Sequence, residues 1–301
     1  MKRSLGIAAL SIALGACATH APRAWDIPAP LKAMPVNGYD MAYLERGSGA
    51  AVVFVHGTAT DYRYWGRQME PVAQRYRAIA VSLRHYYPER WDGRGDDLSM
   101  KQHVADLRTF IRSLGVEKVR LVGISRGGQV ALQLAVEEPD LLHSLVLADP
   151  APIESLIPAT SQSAVEVRDR EAYVAAAVEH LKRGETEAGL ERFIDGTSAP
   201  GTWKNVPDSS KQVLRDNAWT ISSLPADARE AVSCSQLENV AVPVLLVTGE
   251  KSPGIYGVML DAIQPCLKDQ TRVTIPNAGH AMHLQNTQAF NAALLAFLSK
   301  H

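Results

Sequence analysis

Short runs of apolar, β-branched residues alternate along this chain with amphipathic helical patterns. Six such runs predict strands, at residues 51–57, 78–84, 119–125, 144–149, 243–250 and 272–277. The runs lack the polar–apolar alternation of a half-exposed strand, so both faces of each strand are expected to be covered. Strands of this kind, separated by helices, form a parallel, doubly wound α/β sheet. A shorter antiparallel strand is expected before them, around residues 39–47.

Residues 150 to about 232 interrupt this alternation. The stretch contains several helical patterns and no convincing buried strand, so it is interpreted as a helical insertion between two strands of one sheet. The 301-residue chain then contains one sizeable domain, residues 36–301, with the insertion inside it. The formal net charge of −1 argues against broad electrostatic attraction to nucleic acid or to anionic membranes.

The N-terminus has the organisation of a bacterial export signal. Lys2 and Arg3 precede an apolar stretch, residues 5–14, that is too short to span a bilayer. The following Leu-Gly-Ala-Cys, which ends at Cys17, resembles the lipobox of bacterial lipoproteins. That resemblance implies a signal peptide over residues 1–17 and an exported protein, anchored by lipid at the outer membrane and facing the periplasm. Ordinary signal cleavage after Ala18 is the alternative, because an A-x-A pattern ends there.

Export would place the cysteines in an oxidising compartment. If Cys17 carries lipid, Cys234 and Cys266 remain as an even pair that can form a disulfide, and two separate buried thiols are the alternative. Neither cysteine has a second ligand at a metal-binding spacing, so no metal site is expected. Residues 18–35, rich in Pro and Ala, are interpreted as a tether between the lipid anchor and the domain.

The sequence Gly-Ile-Ser-Arg-Gly, residues 123–127, lies where a predicted strand ends and a predicted helix begins. In that setting G-x-S-x-G forms a tight turn that lifts the serine, Ser125, above the edge of the sheet as a nucleophile. The glycines are needed because Cβ atoms would collide across the turn. An ordinary glycine-rich turn is the alternative. A dinucleotide-binding turn would need G-x-G-x-x-G, which this segment lacks, and no cofactor is expected.

Two further segments place polar groups at strand ends. After the first of the six strands, the backbone N–H of Thr58 is expected to face the reacting carbonyl together with the N–H of Arg126, and the two N–H groups would form an oxyanion hole. His56, in the same segment, is interpreted as a structural residue. After the last strand, His280 is the expected general base, and His283 is the alternative.

Together, His-Gly-Thr after the third strand, G-x-S-x-G after the fifth and Gly-His after the eighth resemble the α/β-hydrolase superfamily. The resemblance covers about residues 36–301. It implies the α/β-hydrolase fold, in which an eight-stranded, mostly parallel sheet carries helices on both faces and a helical cap is inserted after the sixth strand. It also implies a serine hydrolase with an acyl-enzyme intermediate, since a serine nucleophile excludes the aspartate-dependent epoxide hydrolases and haloalkane dehalogenases.

The acid that would orient the histidine is missing from its usual place in the superfamily. That place, three residues after the final glycine of the seventh strand, is occupied by Ser252. Asp149, which ends the sixth strand, is the preferred candidate, because some members of the superfamily take their acid from there and the sixth strand neighbours the fifth. Glu250 is the alternative. We expect a carboxylate oxygen of Asp149 within about 3.2 Å of His280 Nδ1.

The expected activity is hydrolysis of a carboxylic ester with a small or medium-sized apolar substrate. Hydrolysis of C–C bonds, acyl transfer and perhydrolysis with the same three residues are alternatives, and a non-catalytic ligand-binding relative is the alternative from another class. His85, Tyr86 and Tyr87, after the fourth strand, are candidates for lining the substrate pocket. The expected partner is a small ester-like molecule. No nucleic acid is expected, and the membrane is expected to be reached only through the lipid anchor.

Overall fold

A computed structural model describes residues 26–89, 91, 97–227 and 230–301. Its strands are β1 (Lys32–Val36), β2 (Tyr39–Arg46), β3 (Ala51–Val55), β4 (Arg77–Val81), β5 (Val119–Ser125), β6 (Leu142–Pro150), β7 (Val244–Gly249) and β8 (Gln270–Ile275). They form one sheet in the order β1-β2-β4-β3-β5-β6-β7-β8. Only β2 runs antiparallel to its neighbours, and the strands from β3 to β8 are mutually parallel. The predicted eight-stranded, mostly parallel sheet is confirmed.

Helices follow most strands of this sheet. They are α1 (Gly66–Ala73), α2 (Met100–Ser113), α3 (Arg126–Glu137), α4 (Ser161–Lys182), α5 (Thr186–Thr197), α6 (Thr202–Asn205), α7 (Asp208–Asp216), α8 (Cys234–Leu237), α9 (Gly254–Ile263), α10 (Met282–Gln285) and α11 (Thr287–Lys300). Short 3-10 turns occur at Tyr62–Trp65, Pro139–Leu141, Glu154–Leu156, Ala218–Ser223 and Gln264–Cys266. Within the described ranges, none of the helices has the length and apolar character needed to cross a bilayer.

Helices cover both faces of the sheet. On one face, Val53 of β3 belongs to a core cluster that includes Phe110 of α2 and residues of α3 and α9. On the other face, Phe54 packs with Trp65 and with Phe290 of α11. Because every residue of β3 meets a helix whichever way its side chain points, the strand is apolar throughout and fully buried.

The predicted tether is too long, because its last residues belong to β1. Residues 32–36 pair with β2, so the end of the stretch interpreted as a tether, residues 18–35, belongs to the sheet. Only Val36 of this strand is buried, and Pro35 is tolerated because β1 lies at the edge of the sheet. A short, mostly exposed strand has no apolar run that the sequence pattern can detect. The predicted signal peptide, residues 1–17 with Cys17, lies outside the described residues.

The helices between β6 and β7 form a cap with its own small core. Val178, Leu190, Leu214 and Ile221 are among its buried residues, and they pack in one cluster with Ala59 from the loop after β3. The backbone N–H of Ala59 also donates to Thr220 Oγ1 at 3.1 Å. The cap therefore rests on a loop at the carboxyl end of the parallel strands, the edge at which open α/β folds bind ligands.

A disulfide joins the chain after the cap to the turn before β8. Cys234 is the first residue of α8, and Cys266 ends the turn after α9. Their Cα atoms are 5.1 Å apart, inside the limit of about 7 Å for an unstrained bridge.

Candidate active site

Ser125 occupies a strained turn between β5 and α3. Its backbone has φ 54° and ψ −122°, a conformation that residues with a side chain rarely adopt. A Cβ atom on Gly123 would lie 2.3 Å from the carbonyl oxygen of Gly127, and one on Gly127 would lie 2.3 Å from that of Val55. Only glycine fits at either position, because the turn brings backbone against backbone. The sequence motif therefore forms the strand–turn–helix geometry that exposes a serine at the edge of a sheet.

His280, in the loop after β8, faces Asp149 at the end of β6. Nδ1 of His280 lies 3.3 Å from Oδ2 of Asp149, slightly beyond the distance expected from the sequence. Asp149 is fully buried and has a positive φ of 39°. The ring of Tyr256, from α9, stacks on the imidazole with centroids 4.1 Å apart and planes inclined by 10°. The imidazole is thus held by a carboxylate at one edge and by an aromatic ring over one face.

The carboxylate of Asp149 has a second partner in Ser252. Ser252 Oγ donates to Asp149 Oδ2 at 2.6 Å and accepts the backbone N–H of Gly249 at 3.2 Å. Ser252 occupies the position at which the superfamily usually has its acid. Its side chain therefore contacts that of Asp149, the residue predicted to replace that acid. This hydrogen bond was not anticipated from the sequence, because it joins residues that are 103 positions apart.

Glu250 lies in the same loop and has a different role. Its side chain is exposed, and Oε2 accepts the backbone N–H of Asn277 at 2.7 Å. Glu250 therefore braces the turn after β8, whereas the carboxylate near His280 belongs to Asp149.

Two other histidines of the motif segments are buried and held by backbone groups. His56 Nε2 accepts the N–H of Leu83 at 3.0 Å, and Nδ1 donates to the neighbouring carbonyl at 2.8 Å. Burial lowers the pKa of His56 to about 4. His283 donates from Nε2 to the carbonyl of Tyr64 at 3.2 Å, and burial lowers its pKa to about 3. Both rings are neutral near pH 7 and serve the packing of the loops around the site.

The predicted oxyanion-hole residues lie beside the nucleophile. Thr58 and Arg126 line an inner pocket together with Ser125. Arg126 is the first residue of α3, where a backbone N–H has no partner inside the helix. A Cβ atom on Gly57 would lie only 3.2 Å from Cβ of Ser125, which shows how closely the loop after β3 approaches the nucleophile.

The side chain of Arg126 connects this region to the cap. It is 2% exposed, and Nη1 donates to Oδ2 of Asp227 at 2.5 Å. Nε donates to Nδ1 of His103 at 3.2 Å, and Asp227 Oδ1 accepts the N–H of Met100 at 2.8 Å. The ion pair links the residue after Ser125 to the C-terminal end of the cap. Sequence reasoning missed it, because nothing in the local pattern around either residue indicates the other.

The residues after β4 stabilise their own loop. Tyr86 is fully buried, and its ring lies against His56 with centroids 4.6 Å apart. The guanidinium of Arg63 lies over the ring of Tyr87 at 4.0 Å from its centroid. Two carboxylates, those of Glu89 and Asp97, hold His85. His85, Tyr86 and Tyr87 were candidates for lining the substrate pocket. None of the three is among the described residues that line the large cavity between Ser125 and the cap.

His85 lies between the carboxylates of Glu89 and Asp97. Nδ1 is 2.8 Å from Glu89 Oε1, and Nε2 is 2.6 Å from Asp97 Oδ1. Burial by itself would lower the pKa of His85, but the two carboxylates outweigh it and the pKa is raised. The imidazole therefore ties Glu89 to Asp97 through both of its ring nitrogens.

A cavity of about 630 Å³ lies between the sheet edge and the cap and reaches both Ser125 and His280. Its apolar lining includes Tyr64, Phe193, Ile194, Val206, Leu214 and Leu284, and its polar lining includes Thr60, Thr197, Ser198, Ser209 and Ser210. Among the residues that the structure describes, no group of three His, Cys, Asp or Glu side chains could hold a metal ion. A serine, an imidazole held by a carboxylate and two backbone donors are the groups that acyl transfer to serine requires.

Comparison with known proteins gives the family. Residues 52–293 match the model of the alpha/beta hydrolase family, so the chain belongs to that family. An uncharacterized protein of Mycobacterium tuberculosis is 32% identical over 124 residues, and the match covers 40% of this chain but only 35% of that protein.

Two other comparisons extend over most of the chain. A putative non-heme bromoperoxidase of Mycobacterium tuberculosis is 24% identical over 284 residues, which cover 86% of this chain and 98% of that protein. The structure of a thermophilic esterase from Thermogutta terrifontis has a TM-score of 0.69 at 22% identity and covers 90% of this chain and 99% of that one. The structural likeness shows that the two proteins share the α/β-hydrolase fold.

Proposed function

We propose that the chain is a serine hydrolase that cleaves carboxylic esters, with Ser125 as nucleophile, His280 as general base and Asp149 as the acid. The observation that carries the proposal is the 3.3 Å contact between His280 Nδ1 and the buried carboxylate of Asp149, at the sheet edge where Ser125 stands in its strained turn. Catalytic groups of open α/β folds collect at this edge.

The geometry supports a two-step reaction. His280 takes the proton of Ser125 Oγ as that oxygen attacks the ester carbonyl, and the N–H groups of Thr58 and Arg126 stabilise the oxyanion. When the intermediate collapses, the C–O bond to the alcohol breaks and His280 returns the proton to the leaving alkoxide. Water, activated by His280, then releases the acid from Ser125. Asp149 accepts Nδ1–H throughout, which fixes the tautomer and stabilises the imidazolium.

The cavity supports a substrate of small or medium size. Its volume of about 630 Å³ is within the usual range for small-molecule sites, and Tyr64, Phe193 and Leu214 provide apolar walls near the reacting groups. The hydroxyl side chains of the lining add hydrogen-bonding capacity. We therefore expect simple esters to enter and be cleaved.

Labelling with a fluorophosphonate probe, followed by assays with p-nitrophenyl acetate and butyrate, tests the assignment. We expect the wild type to be labelled and Ser125→Ala to lose both the label and several orders of magnitude in turnover, because no other group replaces the nucleophile. His280→Gln should be similarly inactive, and Glu250→Gln is the control that should keep its activity. Retention of a tenth of the activity by Ser125→Ala would refute the nucleophile assignment.

We further propose that the protein is exported and anchored by lipid on Cys17, at the outer membrane and facing the periplasm. The proposal rests on the charged start, the short apolar stretch and the Leu-Gly-Ala-Cys that ends at Cys17. Palmitate labelling and membrane fractionation of wild type and Cys17→Ser test it. The variant should lose the label and leave the membrane fraction. Unchanged membrane retention, or release of a product cleaved after Ala18, would contradict the proposal.

A further inference from the structure

A small inner pocket opens beside Ser125, on the side of the cap. Among the residues that the structure describes, its lining contains two arginines, one glutamine and no carboxylate: Thr58, Ser125, Arg126, Gln129, Ala151, Pro152, Arg170, Tyr173, Val174, Phe193, Thr197, Leu224 and Tyr256. Four acidic side chains, Glu154, Glu171, Asp227 and Glu230, line a neighbouring cavity of about 460 Å³ that Arg170 also borders. The inner pocket therefore has two cationic side chains in its wall, and of these Arg126 is ion-paired with Asp227.

Two polar atoms of this pocket are buried and have no hydrogen-bond partner in the described part of the chain. Nη2 of Arg126 is unpaired, although the other two nitrogens of the guanidinium donate to Asp227 and His103. Oε1 of Gln129 is also buried and unpaired, and rotation of the amide would present N–H groups instead. Buried polar atoms almost always have a partner, so the unpaired donor Arg126 Nη2 at the wall of a pocket indicates a ligand that supplies an acceptor.

Arg170 approaches the same pocket from α4 of the cap. It is half-buried, and within the part of the chain that the structure describes its side chain has no hydrogen bond or ion pair. It lies near Tyr256: burial raises the pKa of that phenol, and the positive charge of Arg170 acts against the rise. Because Tyr256 stacks on His280, the guanidinium of Arg170 is close to the reacting groups.

We propose that the inner pocket binds a carboxylate at the far end of the acyl group, and that Arg170 selects esters of short dicarboxylic acids over neutral esters. The inference rests on the proposed esterase function. Ser125 forms the acyl-enzyme, the terminal carboxylate accepts hydrogen bonds from Arg170 and Arg126 Nη2, and the alcohol leaves through the 630 Å³ cavity.

The size of the pocket limits the acyl chain. Its free volume is about 20 Å³, so the carboxylate must displace part of the lining. Arg170 borders both this pocket and the cavity of about 460 Å³, and no ion pair with a described residue holds it, so its side chain can move outward as the acyl group enters. A short chain such as succinyl fits this geometry, whereas a long apolar chain would leave Arg126 Nη2 without an acceptor.

A matched pair of substrates tests the proposal. Monomethyl succinate and methyl butyrate have the same number of carbon atoms in the acyl chain. The chain ends in a carboxylate in the first and in a methyl group in the second. Acid release from each ester is followed by pH-stat titration. We expect wild type to have the higher kcat/KM for monomethyl succinate. Arg170→Gln should reduce that value about ten- to a hundredfold, as expected for a lost hydrogen bond to a charged group, and leave methyl butyrate unchanged. Arg168→Gln is the control, because Arg168 is exposed on the same helix.

Calorimetric titration with succinate separates this inference from the esterase proposal. Suppose that no ester is cleaved, but that succinate binds to wild type and to Arg168→Gln and does not bind to Arg170→Gln. This result supports the carboxylate subsite and refutes the esterase function. If esters are cleaved without preference for monomethyl succinate and Arg170→Gln leaves the ratio of the two substrates unchanged, the subsite is refuted. Equal binding of succinate to Arg170→Gln, or no binding to wild type, also refutes it.

Discussion

Asp149→Asn is the most informative single change, because it removes a charge and preserves the shape of the side chain. In the transition state His280 becomes an imidazolium 3.3 Å from a fully buried carboxylate. At that separation, two unit charges attract by about 5 kcal/mol with an effective dielectric constant of about 20. A loss of that size lowers the rate by three to four powers of ten, and the same substitution in a Ser-His-Asp triad costs about 10⁴ in kcat.

Variants of two residues near Asp149 show how large the loss of activity in Asp149→Asn is by comparison. Ser252→Ala removes the 2.6 Å hydrogen bond to Asp149, and a bond to a charged group is worth about 1.5–3 kcal/mol, so we expect activity to fall about ten- to a hundredfold. Glu250→Gln changes an exposed side chain that braces the turn at Asn277, and activity should stay within about twofold of wild type, as for surface substitutions away from the site.

Moving the carboxylate from position 149 to position 252 should restore part of the activity. Because Ser252 Oγ already lies 2.6 Å from Asp149 Oδ2, a carboxylate at 252 can reach the same side of His280. The double variant Asp149→Ser, Ser252→Asp should recover at least about tenfold over Asp149→Ser alone, since one tenfold step requires only about 1.4 kcal/mol.

The assay is kcat for p-nitrophenyl butyrate, with thermal unfolding of each variant to show that it is folded. The reasoning is refuted if folded Asp149→Asn keeps more than a tenth of the activity. A larger loss for Glu250→Gln than for Asp149→Asn would assign the acid to Glu250 instead.

Three further predictions concern the surroundings of the site. Tyr256→Leu should lower kcat about tenfold with little change in KM, while Tyr256→Phe, which keeps the stacked ring on the imidazole, should stay near wild type; equal losses in both would contradict a positioning role. The pKa of His85 is raised in the folded state, so its stabilisation is complete below the unfolded pKa and is lost as the pH rises through the folded one. His85→Gln should therefore lower the free energy of unfolding more at about pH 5.5 than at about pH 9, and a cost independent of pH in urea titrations would refute this. The disulfide closes a loop across 32 positions, so the double variant Cys234→Ser, Cys266→Ser should lose about 3–4 kcal/mol of stability in the same titrations, and an unchanged unfolding midpoint would contradict it.

The features that short stretches of sequence specify were predicted well. The apolar runs located six of the strands, because a strand covered on both faces must be apolar at every position. The turn at Ser125 was also predictable, since its two glycines are required by contacts within a few residues and with the adjacent strand. The exposed edge strand β1 was missed for the same reason: it buries only Val36 and leaves no apolar run.

The arrangement around His280 depends on contacts between distant parts of the chain. Asp149 lies at the end of one buried strand, and Glu250 and Ser252 follow another, so their spacing in the sequence does not say which side chain points to the histidine. The direction in which each leaves its turn decides this: Asp149 turns toward His280, across 131 positions, and Glu250 turns outward to Asn277. The pairing of Arg126 with Asp227 across 101 positions is likewise set by how the cap packs on the sheet, because only packing brings such residues into contact.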